Sequence, residues 1–297
     1  MKKRSYTPII LFVVIIFSFV AINFLLEYGI VGVNDSEEIS RIQSIKDPLK
    51  VHFIDVGQGD SIFIQIKNKN ILIDAGESKE APSVVNYLKT YKVNKLDYVF
   101  LTHPHEDHLG GLSEVIDTFD IGKFYSPNAS TVTRSYENLL NSLKSKDLKI
   151  NRAKAGLEFT FADDIVLELF SPNKDEYTNL NNYSPIMKLT YGDISFLFTG
   201  DAEEIIEKEV LSKNHNLEST VLKAGHHGSK TSSSIEFLEQ VNAQFAVITT
   251  GKGNRFNLPN EEIVKRHEKL GSKILMTEKY GNIVFSTDGR DIRLLSN

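Results

Sequence analysis

The segment THPHEDHLGG, residues 102–111, decides how this chain is interpreted, because it gathers metal-binding side chains in one short turn. They are His103, His105, Asp107 and His108. The segment follows LDYVFLT (96–102), whose continuous hydrophobicity predicts a strand buried on both faces. A loop at the end of such a strand can turn alternating side chains toward one point. We therefore expect the first two histidines to hold one divalent ion and the remaining aspartate and histidine to face a second. Imidazole and carboxylate suit zinc, manganese or iron; a solvated polar loop is the alternative.

The composition narrows the chemistry further. The chain has 297 residues and contains no cysteine, which excludes disulfides, cysteine-ligated zinc, iron–sulfur clusters and thiol nucleophiles. Its hydrophobic fraction of 41% and charged fraction of 25% exclude general disorder. A formal net charge of -5 argues against a strongly basic protein that coats nucleic acid, although a local basic patch is compatible with it. Any metal must be held by histidine and carboxylate.

An apolar run near the start, IILFVVIIFSFVAINFLL (9–26), is about long enough to cross a bilayer as a helix. Lys2, Lys3 and Arg4 precede it, and the positive end of such a helix tends to stay in the cytoplasm. A cleaved signal peptide is the alternative, but FLLEYG follows without an A-x-A pattern. We expect an uncleaved, single-pass anchor in the cell membrane, with the C-terminal domain on the extracytoplasmic side.

The residues after the apolar run and the linker, 50–297, are enough for one substantial domain. The predicted organisation is a cytoplasmic tail at 1–7, a transmembrane anchor at 8–27, a linker at 28–49 and a folded domain at 50–297. Strands are predicted at 51–55, 61–66, 70–74, 96–102, 121–125, 164–170, 186–191, 194–199, 219–223, 244–250, 273–276 and 282–286. Helices are predicted at 80–92, 111–119, 134–146, 202–213, 234–241 and 260–270. Two batches of strands with helices between them favour an α/β or α+β fold with two packed sheets.

Other segments, in order along the chain, resemble the motifs of the metallo-β-lactamase superfamily. Beside 102–111 they are NILIDAG (70–76), SFLFTGDAE (195–203) and VLKAGHHGSKTSS (221–233). More narrowly, the chain resembles the hydrolase domain of ComEC/Rec2-type competence proteins in VHFIDVGQGDS (51–61), NNYSPIMKLTYGDISFLFTGDAE (181–203) and LKAGHHGSKTSS (222–233). The resemblance covers nearly all of 50–297 and does not extend to the polytopic channel of those proteins.

The resemblance implies a fold, a cofactor and an activity. The fold is an α/β, four-layer αββα sandwich, a metallo-β-lactamase-like hydrolase domain over 50–297, and the cofactor is one or two zinc or manganese ions. The implied metal ligands are His103, His105, Asp107, His108, Asp201 and His226. Asp74 is expected to support the metal loop, Asp201 to bridge two ions, and Asp107 to orient a metal-activated water. The expected substrate is nucleic acid, DNA in particular, or another phosphodiester.

Two of these assignments have alternatives. Asp201 follows a buried strand, where a carboxylate is costly unless paired or metal-bound, but it can also cap a helix at 202–213. His226 and His227 are adjacent, and neighbours on an extended strand point in opposite directions. We therefore assign His226 as a ligand and His227 as a catalytic contact to the substrate or transition state.

Many dinuclear members of the superfamily have a further histidine between the first histidine cluster and the bridging aspartate. This chain has no histidine from 109 to 214. Candidates to line the gap are Asn128, Asn182 and Ser184. Amide and hydroxyl oxygens are weak zinc ligands, so we expect a labile first ion or one suited to manganese. Of the histidines outside the two clusters, His52 is expected to be structural, His215 to lie on the surface and His267 to lie at an exposed helix end.

Polar residues near the two histidine clusters are candidates to contact a phosphodiester or to stand behind the ligands. They are Asp55, Gln58, Asn182, Lys223, Ser229, Lys230, Thr231, Ser232, Ser233, Ser234, Lys252 and Arg255. Turn chemistry and solvated loops are the alternative roles. Other functions also stay open: hydrolysis of another ester or amide (a teichoic-acid phosphodiester, a lactone or, least favoured, a β-lactam), or a catalytically degenerate metal-binding module.

Overall fold

Two β-sheets pack face to face at the centre of the domain. The structure is a computed structural model that describes residues 49–162 and 164–295. Its strands are β1 (Leu49–Phe53), β2 (Ile62–Ile66), β3 (Lys69–Ile73), β4 (Lys95–Phe100), β5 (Asp120–Ser126), β6 (Ile150–Arg152), β7 (Glu158–Ala162), β8 (Ile165–Leu169), β9 (Met187–Tyr191), β10 (Ile194–Phe198), β11 (Val221–Lys223), β12 (Phe245–Ile248), β13 (Lys273–Met276), β14 (Ile283–Thr287) and β15 (Ile292–Leu294). The sheet orders are β15-β14-β1-β2-β3-β4-β5-β6 and β13-β12-β11-β10-β9-β8-β7.

Aromatic side chains fill the space between the sheets. The ring of Phe53 in β1 lies 6.2 Å from that of Phe198 in β10, centroid to centroid. Phe285 in β14 lies 6.1 Å from Phe196, also in β10. All four side chains are buried, and burial of each contributes about 1.5–3 kcal/mol. This interface fixes the two sheets against each other and gives the site a rigid base.

Helices cover the outer faces of both sheets. They are α1 (Ala81–Thr90), α2 (Glu106–Leu109), α3 (Leu112–Thr118), α4 (Arg134–Ser145), α5 (Glu204–Leu211), α6 (Ile235–Val241), α7 (Glu261–Lys269) and α8 (Thr277–Tyr280). On the second sheet, Ile206 of α5 and Phe237 of α6 share an apolar cluster with Leu222 of β11. On the first sheet, Tyr91, just after α1, packs on His52 of β1 at 4.7 Å. The layering is helix, sheet, sheet, helix, a mixed α/β sandwich.

Strand direction brings the chemically active segments together. β3 and β4 run parallel in the first sheet, and β10 and β11 run parallel in the second. The 102–108 turn follows β4, Asp201 follows β10, and the 226–227 pair follows β11. In α/β sheets, ligands bind beyond the carboxyl ends of the strands, and these segments all occupy that position.

Several details differ from the sequence prediction. β1 begins at Leu49, which is fully buried and had been placed in the linker. The three short strands β6, β7 and β15 were not predicted. His267, expected at an exposed helix end, is buried on α7. It lies four residues after Ile263, also buried, and residues at this spacing share one face of a helix.

Within 49–162 and 164–295 no helix combines the length and the apolar content needed to cross a membrane. The anchor predicted at 8–27 lies outside the described residues, as do the predicted tail and all but the last residue of the linker.

Candidate metal centre

Asp74 holds the loop that carries the first histidine cluster. Its buried carboxylate accepts hydrogen bonds from the backbone N–H and the hydroxyl of Thr102, at 2.8 and 2.6 Å. Nδ1 of His108 lies 2.8 Å from the same carboxylate. With Nδ1 engaged, Nε2 of His108 faces the centre as its ligand atom. Asp74 therefore stands behind the loop and orients it.

Asp201 lies in the middle of the candidate centre, and its two carboxylate oxygens face different histidines. Oδ1 is 3.3 Å from Nε2 of His108 and 3.4 Å from Nε2 of His227. Oδ2 is 3.7 Å from Nε2 of His103 and 3.6 Å from Nε2 of His226. A carboxylate between two pairs of imidazoles is placed to bridge two cations.

Asp201 does not occupy the cap of a helix, the other role considered from the sequence. α5 begins at Glu204, and its N-cap position is Glu203. The backbone N–H of Asp201 instead donates to the hydroxyl of Ser184 at 3.1 Å. The carboxylate is thus free to serve the centre.

The ligand set on the Oδ1 side is the more completely buried one. Ligand atoms of Asp107, His108 and His227 lie within 4.8 Å of one another. Oδ2 of Asp107 is 3.5 Å from Nε2 of His227 and 4.0 Å from Nε2 of His108. Nδ1 of His227 lies 2.9 Å from the carbonyl oxygen of Thr249. A proton on Nδ1 satisfies that carbonyl and leaves Nε2 as the ligand atom.

Oδ2 of Asp201 faces the imidazoles of His103 and His226, and His105 lies next to His103. Nε2 of His103 and Nδ1 of His105 lie 2.9 Å apart. Nδ1 of His103 lies 3.3 Å from the hydroxyl of Ser184. His226 approaches the same oxygen of Asp201 from the other cluster, so it supplies an imidazole that the stretch 109–214 lacks.

The turn at 225–228 explains how both adjacent histidines reach Asp201. His226 has φ 47° and His227 has φ 54°, so neither adopts the extended conformation assumed from the sequence. The side chain of His227 is 1% exposed and that of His226 is 25% exposed. The geometry therefore places His227 and His226 on opposite sides of the carboxylate, with His227 the more buried candidate ligand, and the predicted contact of His227 to the substrate stays a prediction.

Unpaired ligand atoms test whether this centre fits a metal. Nε2 of His108, Nε2 of His227 and Oδ1 of Asp201 are buried and have no hydrogen-bond partner. Buried polar atoms without a partner are costly, and these three point at one another. A divalent cation between them would satisfy all three, so these residues fit the metal that the donor set indicates.

The pKa values of the buried histidines also indicate that the centre favours a cation. Burial lowers the pKa of His108, but the charges of Asp201 and Asp107 overcome this and raise it well above its ordinary value. Burial likewise lowers the pKa of His227, and the charge of Asp201 reverses the direction and raises it. The carboxylates thus create a field that favours positive charge at the centre, which suits a cation.

A buried ion pair lies next to His227. Nζ of Lys223 is 3.0 Å from Oδ2 of Asp60, and both side chains are almost completely buried. Oδ1 of Asp60 accepts a hydrogen bond from the hydroxyl of Thr249 at 2.5 Å and lies 3.5 Å from Nδ1 of His227. Of the two roles predicted for Lys223, it therefore takes the one behind the ligands, and its buried ammonium does not line the cavity. Sequence reasoning missed Asp60 and Thr249, although an acid two residues before the apolar strand IFIQI (62–66) was a usable signal for Asp60.

A cavity of about 330 Å³ opens onto the ligands. It is lined by Gln58, His105, Glu106, Asp107, Asp201, His226, His227, Arg255, Phe256 and Leu258. A larger cavity of about 500 Å³, lined by Lys188, Ser195 and Asn216 among others, lies toward the amino end of β10 and contains none of the ligands. Of the predicted substrate contacts, Gln58, His227 and Arg255 line the smaller cavity.

Other predicted contacts have structural partners instead. Asp55 is exposed and accepts a backbone N–H bond in a turn at 3.0 Å. Asn182 donates to Glu203 at 3.0 Å. The hydroxyls of Ser229 and Thr231 lie 3.1 Å apart beside the His226 ring, and Thr231 is 3.0 Å from its Nδ1.

The serines after the second histidine cluster face inward. The backbone N–H groups of Ser233 and Ser234 donate to the buried carboxylate of Glu207 at 2.6 and 2.9 Å. The hydroxyl of Ser232 donates to the carbonyl oxygen of Ala202 at 2.8 Å. These contacts tie α6 to α5 and leave the serines out of the cavity. Asn128 is exposed and does not line the cavity either.

Comparison with known proteins defines the class. A family model described as the metallo-beta-lactamase superfamily matches residues 54–251. The chain belongs to this superfamily.

Its curated relatives include ComEC/Rec2-type competence proteins. The chain is 27% identical over 259 residues to ComE operon protein 3 of Bacillus subtilis, which covers 81% of this chain and 33% of the relative. It is 30% identical over 233 residues to competence protein ComA of Neisseria gonorrhoeae, covering 78% and 31%. With recombination protein 2 of Haemophilus influenzae the identity is 28% over 246 residues, covering 81% and 29%. The chain thus spans about a third of the length of these relatives.

A solved structure shows the same fold. The metallo-beta-lactamase fold protein YhfI from Bacillus subtilis superposes with a TM-score of 0.55 at 16% identity, covering 82% of this chain and 100% of that one. At this identity the likeness concerns the fold alone.

Proposed function

We propose that this chain is a metal-dependent phosphodiesterase that cleaves nucleic acid, DNA in particular. The observation that carries the proposal is the convergence of three buried, unpaired ligand atoms, from His108, His227 and Asp201, beside an open cavity. Relatives named for competence and recombination favour DNA over a lactone or a teichoic acid.

The residues around the cavity have different roles in the proposed hydrolysis. When bound, a pair of divalent ions lowers the pKa of water toward about 7 and polarises a phosphoryl oxygen. Asp107 is the accessible carboxylate of the centre, with its side chain 22% exposed, and it orients the attacking water. His108 and His227 serve as ligands on the Oδ1 side of Asp201. His103 and His226 serve on the Oδ2 side, together with His105 beside His103. Either zinc or manganese suits this donor set.

Turnover of defined substrates tests the activity. The full chain is loaded with manganese or zinc and given single-stranded DNA, duplex DNA, a teichoic acid and a lactone. The proposal expects metal-dependent cleavage of DNA that is lost in Asp107→Ala. Cleavage of only the teichoic acid or the lactone would move the enzyme to another substrate class. Retention of metal without turnover of any of them would support the binding module instead.

We further propose that segment 8–27 anchors the chain in the cell membrane and places the hydrolase domain on the extracytoplasmic side. The apolar run and the basic residues before it support this topology. Protease added outside intact cells is expected to degrade the domain. Complete protection, with degradation after lysis, would contradict the topology.

A further inference from the structure

One rim of the cavity is formed by residues 251–259, which we call the rim loop. The side chain of Asn254 holds this loop in shape. Its amide donates to the carbonyl oxygens of Gly251 and Leu258 at 3.0 and 2.5 Å. Its oxygen accepts from the backbone N–H groups of Phe256 and Leu258 at 3.2 and 3.1 Å. All the hydrogen-bonding capacity of this amide is spent inside the loop, so the loop is preorganised.

The rim loop is also wedged between two segments of the site. A Cβ at Gly251 would lie 2.6 Å from the backbone nitrogen of Gln58. At the other end, a Cβ at Gly228, next to His227, would lie 2.6 Å from Pro259. The loop therefore has a fixed position relative to the ligands.

This loop presents an aromatic ring and a cation to the cavity. Phe256 is 52% exposed although it lines the cavity. The guanidinium carbon of Arg255 lies 4.8 Å from the centroid of that ring. Arg255 is the one lysine or arginine among the described residues that line the cavity, whose floor is rich in carboxylates. Gln58, whose backbone nitrogen lies against Gly251 of the rim loop, also lines the cavity.

The size of the cavity fits one unit of a polymer. Its volume of about 330 Å³ lies at the lower end of ligand pockets, which span about 300–1,000 Å³. Aromatic rings and guanidinium planes are the groups on which unpaired bases stack, and arginine also neutralises phosphates. A duplex keeps its bases stacked inside, so such a platform favours a single strand.

We propose that Arg255 and Phe256 form a nucleotide subsite for single-stranded nucleic acid, in which a base stacks on Phe256 and Arg255 contacts a phosphate. This subsite places a neighbouring phosphodiester against Asp107. The inference rests on the proposed function and narrows its substrate to strands whose bases are accessible.

Binding without cleavage tests the subsite. Chelator-treated full chain is titrated, by fluorescence anisotropy, into a labelled oligothymidylate and into an abasic strand with the same number of phosphates. We expect the oligothymidylate to bind about tenfold more tightly. Phe256→Ala and Phe256→Leu are expected to abolish this preference, and Phe256→Trp to retain it. Arg255→Ala is expected to weaken both strands and to reduce the salt slope by about 0.7.

A matched control is Tyr280→Ala, since Tyr280 is an exposed aromatic residue that does not line the cavity. Its preference should equal that of the wild type. Equal binding of the two strands by the wild type, or an unchanged preference in Phe256→Ala, would overturn the subsite. The possible outcomes distinguish failure of the nucleotide subsite from failure of the proposed phosphodiesterase activity. Cleavage with no base preference rejects the subsite alone, whereas base preference with no metal-dependent cleavage rejects the phosphodiesterase alone.

Discussion

Lys223 and Asp60 form an ion pair that is sealed from solvent beside the candidate metal centre, with Nζ and Oδ2 3.0 Å apart. The other oxygen of Asp60 is bonded to the hydroxyl of Thr249, whose carbonyl oxygen lies 2.9 Å from Nδ1 of His227. The pair therefore acts on the centre through His227. Asp60 is a positioning residue, because it holds Thr249, whose carbonyl oxygen orients the imidazole of His227.

The first prediction concerns this pair. Lys223→Met leaves a buried carboxylate without its partner, which we expect to lower the free energy of unfolding by about 3–5 kcal/mol. The double variant Lys223→Met/Asp60→Asn removes both charges and should regain most of that loss. Urea unfolding of the chelated protein measures both. A single variant as stable as the wild type would contradict the buried pairing.

The second prediction separates the two adjacent histidines. His227→Ala should remove the ion held on the Oδ1 side of Asp201, and His226→Ala the one on the Oδ2 side. Each variant is expected to retain one ion fewer than the wild type after dialysis, measured by inductively coupled plasma mass spectrometry. His215→Ala is the control, because that ring stacks on Phe170 away from the cavity. Full metal content in His226→Ala would show that His226 is not a ligand.

The third prediction concerns pH and lies outside the metal centre. Burial lowers the pKa of His267 to about 4, below its ordinary value of about 6.5. Between these values the unfolded chain binds more protons than the folded one, so stability falls as the pH falls. The full effect of this group is about 3 kcal/mol.

His267→Leu should therefore flatten the dependence of unfolding free energy on pH between about 6.5 and 4. Some slope should persist, because burial also lowers the pKa of His52 to about 3. Urea titrations at a series of pH values measure the slope. The same slope in His267→Leu and the wild type would reject this account of the buried ring.

Much of this arrangement could be predicted from sequence because it depends on local patterns. The spacing of His103, His105, Asp107 and His108 after a continuous apolar strand indicates a ligand loop. The position of Asp201 after another apolar strand points to a buried, partnered carboxylate. Such patterns predict position as well as residue type, because the residues that follow a strand lie at the edge of the sheet where the strand ends.

Other features depend on contacts that no local pattern contains. The inward direction of Lys223 depends on Asp60, which is distant in the chain. The roles of His226 and His227 depend on a left-handed turn, whereas the sequence reasoning assumed an extended strand. The burial of His267 was missed because charged neighbours on α7 made the helix end resemble solvent-exposed sequence.

The fourth prediction concerns metal removal. A bound ion stabilises the folded state by about 2.7 kcal/mol when its free concentration is a hundred times the dissociation constant. Chelation should therefore lower the Tm of the metal-loaded wild type. The same treatment should leave Asp201→Asn unchanged, because that variant has lost the shared ligand. An equal drop in both proteins would mean that the ions bind elsewhere.

The central claim is that Asp201 joins two ligand sets into one hydrolytic centre. The most direct measurement compares the wild-type full chain with Asp201→Asn for metal content and for cleavage of single-stranded DNA in the same preparations. The account predicts two ions per wild-type chain and metal-dependent cleavage, with both lost in the variant while its chelated form still unfolds in one cooperative transition. Equal metal content and equal turnover in the two proteins would contradict it.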